Sequence, residues 1–190
     1  MTSYQEIRRD VRDGDVAVWR NGGLIGRVDG WTHVSRFAWY GNTLLLVEFR
    51  EFRGGQIVTA SDQIRRYPGS ACIFRPNLRR LQSRFATELM VRQIGKRYGW
   101  WIIARQVWQR AGLLRLASGF SFDEHDMTPM DWTTPKDCSG AVVWSDRMAM
   151  GESNKKSWPC QGKADWACTP ADVANDKAFY DPIHSDVVIE

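Results

Sequence analysis

The chain predicts an α+β fold in one domain: a small antiparallel sheet packed on a helix that bears a cysteine, with a helical insert. Three observations predict it. Short apolar runs punctuated by Gly and Asn fill residues 14–76, the signature of strands and tight turns. From 77 to 118 the apolar spacing changes to a helical period. At Asp137-Cys138-Ser139-Gly140, a loop rich in Thr and Pro gives way to an apolar run of helical character. With 190 residues, 43% of them hydrophobic, the chain is long enough to bury one core over 1–190.

The elements follow in chain order. Asp15-Val16-Ala17-Val18-Trp19-Arg20 is a short apolar strand, closed by the turn Asn21-Gly22-Gly23. His33 to Trp39 is a second strand, and Gly41-Asn42 is a hairpin-type turn. Thr43 to Phe49 is a continuous apolar strand, as expected where both faces are covered. Gly54-Gly55 makes another turn, Ser61 caps a short helix, and Ala71 to Arg75 is a further strand. Within the insert, Leu78, Leu81, Phe85, Leu89 and Ile94 recur at helical spacing. Tyr98-Gly99 interrupts them, and Trp100, Ile103, Val107 and Trp108 begin a second helix. A loop runs from 119 to about Pro135, ahead of the Cys138 helix. Thr169 caps a last helix with Pro170 at its first position.

Charge is unevenly distributed. Between Arg75 and Arg115 lie ten Lys and Arg against the single acid Glu88, so the overall +4 conceals a basic insert on an otherwise acidic chain. Such a helix pair, with Trp100, Trp101 and Trp108, suits an anionic membrane or partner surface through Arg79, Arg80, Arg84, Arg92 and Arg105. It also suits guidance of an anionic substrate, or an ordinary helical pair with solvated arginines. No apolar run approaches the roughly 20 residues that span a bilayer. The polar N-terminus, Met1 to Asp15, has no signal-peptide core, so a cytoplasmic product is expected, with delivery elsewhere open.

Four cysteines (Cys72, Cys138, Cys160, Cys168) in a chain of this kind argue against a disulfide framework. Cys160 and Cys168 match no common zinc spacing. The acidic knot Asp123-Glu124-His125-Asp126 has no second ligand set of matching spacing and is expected to be a solvated loop. No metal and no cofactor is expected.

The residues that can carry chemistry are Cys138, His33 and Glu48. A cysteine in the first turn of a helix lies at the positive end of the helix dipole, which favours thiolate; the alternative is a buried, inert thiol. His33 and Glu48 lie on either side of the Gly41-Asn42 turn, so the hairpin sets a carboxylate beside an imidazole. That pairing fixes a tautomer and stabilises the charged ring. The plainer reading makes Glu48 the end of the buried stretch and His33 a sheet filler.

Four segments in this order resemble a known family. Gly14-Asp15-Val16-Ala17-Val18-Trp19, then Trp31-Thr32-His33-Val34, then Val47-Glu48-Phe49, then Asp137-Cys138-Ser139-Gly140 are similar to the circularly permuted NlpC/P60 hydrolases. These are papain-like cysteine hydrolases related to the YiiX/YaeF and lecithin-retinol-acyltransferase-like proteins. Histidine before cysteine is the permuted order, and Thr169-Pro170-Ala171-Asp172 resembles a common closing segment. The resemblance implies a papain-like fold with Cys138 as nucleophile, His33 as base and acid, and Glu48 as its orienting partner. It implies hydrolysis of an amide, of the cell-wall peptide or isopeptide type, through a thioester. The alternatives are a lipid-directed thiol acyltransferase or esterase, and a non-catalytic module docked through the basic insert.

Overall fold

The computed structural model describes residues 4–21, 30–67, 69–99, 132–133 and 136–187. The Gly22-Gly23 turn, the second insert helix from Trp100 with Arg105, the acidic knot at 123–126 and Pro135 lie outside the described residues.

A six-stranded antiparallel sheet in the order β4-β3-β2-β1-β5-β6 organises the chain. Its strands are β1 (Val16–Asn21), β2 (His33–Tyr40), β3 (Thr43–Arg50), β4 (Gly54–Thr59), β5 (Gly69–Pro76) and β6 (Tyr180–Val187). The helices are α1 (Tyr4–Asp10), α2 (Ala60–Arg66), α3 (Arg80–Val91), α4 (Cys138–Met150) and α5 (Pro170–Asn175). Alternation along the strands sends side chains to two cores. Val16, Val18, Val34, Val47 and Phe49 pack with Met90 of α3, Ala141, Val142 and Val143 of α4 and Val173 of α5. Ala17, Trp19, Phe37, Leu44 and Leu46 face the other way, onto Ile7 of α1 and Ile64 of α2. The mixed α+β class is thus as expected, in three layers, with a larger sheet than the sequence predicts.

Several boundaries differ, each for a physical reason. Gly54 and Gly55, expected as a turn, open edge strand β4. Their missing side chains let the chain after α3 approach: Gly55 N–H donates to Lys96 O and Gly95 N–H to Gly55 O, each at 2.9 Å. Strand β6 was hidden by Pro182, which an edge strand tolerates because that side of the ladder is unpaired. Helix α2 begins at Ala60, one residue before the expected cap Ser61, with Thr59 at the N-cap position. Thr169 caps α5 as expected, accepting from Asp172 N–H, with Pro170 first.

Helix α3 is rotated from the expectation. Of the apolar residues that recur at helical spacing, Leu89 packs, but Leu81 and Phe85 do not: the buried face is Ala86, Thr87, Leu89 and Met90. Leu81 is 78% exposed and Phe85 44%.

Candidate active site

Cys138 opens α4 because Asp137 stops the backbone in an extended conformation and then caps the helix. Its carboxylate accepts from Gly140 N–H at 2.7 Å. Ser139 Oγ donates to Cys168 O at 2.8 Å, tying the first turn to the segment before α5. The Cys138 N–H is among the helix-start donors that have no intrahelical acceptor. Cys138 itself is 4% exposed.

The structure brings His33 and Glu48 together. His33 Nε2 lies 2.7 Å from Glu48 Oε2, and the His33 side chain also hydrogen-bonds Cys138. The pairing is diagonal, which corrects the expected register: Glu48 sits opposite Ser35, and His33 reaches it from two residues along β2. A diagonal neighbour on an antiparallel pair is within reach of a long side chain.

Both Glu48 oxygens are used. Oε2 meets His33, while Oε1 accepts from Gln56 Nε2 at 2.7 Å and lies 3.2 Å from Arg50 Nε. Glu48 is fully buried, which by itself would raise its pKa. His33, Arg50 and Gln56 outweigh that and hold the carboxyl below its ordinary range. Burial likewise opposes charge on His33, yet the hydrogen bonds to Cys138 and Glu48 and their charges push its pKa up to about 9. The charged ring thus stands beside the sulfur that opens the helix.

One member of the site escaped the sequence reading. Tyr98, taken there only as a helix break, is buried and its hydroxyl hydrogen-bonds Cys138. Burial first, then the neighbouring Cys138 and Asp137, raise the phenol's pKa, so it stays a neutral donor. A parallel bridge between Tyr98 and Lys136, with Gly99 N–H donating to Lys136 O at 3.1 Å, holds it two residues ahead of Cys138. No spacing rule signals a contact made across such a bridge. Tyr67 is held nearby: its hydroxyl shares a 2.6 Å hydrogen bond with Thr32 Oγ1, and its ring packs tilted against Trp19 with centroids 4.7 Å apart.

No protein-family model and no curated protein matches the chain.

The remaining cysteines share the core with Cys138. Cys72 is on β5, where Arg20 Nη2 reaches its sulfur at 3.7 Å. Cys160 and Cys168 are hydrogen-bonded neighbours in the core, and that contact together with burial pushes the Cys168 thiol up. All four are free.

The site is fixed from behind by a buried ion pair. Arg36, on the strand of His33, pairs with Asp146, on the helix of Cys138, and neither side chain is exposed. Arg36 Nη1 also donates to Gly14 O at 2.9 Å, and Tyr180 Oη donates to Asp146 Oδ2 at 2.8 Å.

Proposed function

We propose that the protein is a cysteine hydrolase that cleaves an amide bond, of the cell-wall peptide or isopeptide type, through Cys138, His33 and Glu48. The observation that carries this reading is the shared His33 ring, which meets the Glu48 carboxylate on one side and the Cys138 sulfur on the other. The permuted order of the motifs supports it as well.

Chemically, the Cys138 sulfur attacks the substrate carbonyl, forming a carbon–sulfur bond. The Cys138 N–H at the helix start faces the developing oxyanion. Protonated His33 gives its proton to the leaving amine as the carbon–nitrogen bond breaks, which leaves a thioester. Water then attacks that carbonyl while His33 takes a proton; the carbon–sulfur bond breaks, the carboxylic acid leaves, and the sulfur returns as its anion beside protonated His33. Glu48 keeps the ring oriented and balances its charge throughout. Tyr98 holds the sulfur by donating to it.

Alkylation with iodoacetamide, read by peptide mass spectrometry, tests the nucleophile. Cys138 is expected to label well ahead of Cys72, Cys160 and Cys168, and His33→Ala is expected to slow it by at least about tenfold. Equal labelling of all four thiols would overturn the reading. Cell-wall peptides and short-chain acyl esters assayed in parallel identify the substrate class. Cys138→Ser is expected to cost about a thousandfold or more in kcat on the true substrate. Turnover of esters alone would replace amide hydrolysis with acyl transfer.

A further inference from the structure

At the far end of the sheet from His33, the structure gathers arginines that lie far apart in sequence. Arg12 follows α1, Arg75 is the penultimate residue of β5, and Arg80 and Arg84 occupy the first turns of α3. Together they line a groove of about 470 Å³, floored by Trp39 and Ser83. Two acids also line it, and both are already engaged. Asp15 is paired with Arg75 through contacts of 3.0 and 2.8 Å, and Asp13 Oδ1 accepts from Trp39 N–H at 2.6 Å. Among the described residues, the guanidinium groups of Arg12, Arg80 and Arg84 have no such partner. Three exposed cations therefore converge on a concavity in which four arginines outnumber the two acids, Asp13 and Asp15.

Leu81 and Phe85 stand beside these cations on the same helix, one turn apart and so on one face. They are large apolar side chains that the structure leaves in water, at 78% and 44% exposure. A soluble phosphate would satisfy the arginines but would leave these two without a purpose. A bilayer of anionic phospholipid satisfies both sets: headgroup phosphates take the arginines, and the acyl boundary takes the leucine and phenylalanine.

We infer that the α3 face, with Arg12, Arg80, Arg84, Leu81 and Phe85, is a docking surface for an anionic phospholipid membrane. Along β2 the groove residue Trp39 is six positions from His33, about 20 Å on an extended strand. The docking surface is therefore separate from the Cys138 site. The docking does not depend on Cys138 being reactive.

Vesicle co-sedimentation of the full chain tests it, with phosphatidylglycerol/phosphatidylcholine vesicles against phosphatidylcholine alone. Binding is expected to the anionic vesicles only and to weaken as salt rises. Reversing the charges with Arg12→Glu, Arg80→Glu and Arg84→Glu together is expected to weaken it by about a hundredfold or more. Leu81→Ser with Phe85→Ser is expected to weaken it at least about tenfold with the charges intact. If the charge reversal unfolds the chain, the three Arg→Gln changes give the same reading. No binding to anionic vesicles, or binding indifferent to the arginines, would overturn the inference. So would binding that ignores the Leu81 and Phe85 changes and is displaced by tripolyphosphate, which would mark a site for free phosphate. Iodoacetamide labelling of Cys138, run on the same samples, is expected to stay at the parent rate and reports on the active site independently.

Discussion

His33 is a buried ring with two opposed partners, and its charge depends on both. The contributions that raise its pKa against burial come from Cys138 first and Glu48 second. Cys138→Ser keeps a hydroxyl in place but removes the ionisable sulfur, so the His33 pKa is expected to fall from about 9 toward its ordinary 6.5. Titration of the ring by NMR measures this, and an unchanged value would mean that the sulfur does not act on the ring. Cys138 was legible because a polar Asp137 stands ahead of an apolar helical run, a pattern that local chemistry produces by itself. Tyr98 was not legible. Its hydroxyl meets the sulfur only because the Tyr98–Lys136 bridge brings the two segments side by side.

At the scale of elements, β2 and α4 each carry one catalytic candidate and one member of a buried ion pair: His33 with Arg36, Cys138 with Asp146. The pair works as a second attachment point that keeps helix and strand in register. Removing one partner strands a charge in the core, so Asp146→Ala is expected to cost about 3–5 kcal/mol in denaturant unfolding. Replacing both by apolar side chains, Arg36→Met with Asp146→Leu, is expected to cost far less. A double variant as damaged as the single one would mean that the packing, and not the stranded charge, sets the cost. The strands β1, β2, β3 and β5 were legible from turn residues and apolar runs. The edge strands β4 and β6 were not: Gly54-Gly55 reads as a turn, and β6 holds Pro182, yet glycine and proline are both tolerated at an unpaired margin.

For the whole molecule, the raised His33 pKa couples folding to pH. Below about pH 6.5 the ring is protonated in both folded and unfolded chains, and its contribution to stability is complete. As pH rises through about 9 the folded chain also loses the proton and the contribution disappears. The loss across that window is of order 1–3 kcal/mol. Urea unfolding on either side of it is expected to show the decline in the parent and a flatter profile in His33→Ala; identical profiles would remove His33 as the source. Among the described residues no helix is long and apolar enough to cross a membrane. The lipid contact proposed for α3 rests on the face of that helix that the core leaves uncovered.

The sequence by itself determined the mixed α+β class, the central hairpins and the helix start at Cys138, because turn chemistry, apolar period and capping act over a few residues. Only the tertiary structure decided that Glu48 reaches His33 diagonally, that Tyr98 touches the sulfur, and that α3 packs through Ala86, Leu89 and Met90 while Leu81 and Phe85 face water. Those outcomes depend on strand register, on a bridge between distant segments and on the rotation of a helix against its neighbours. Each is settled by long-range packing, to which local sequence pattern is blind.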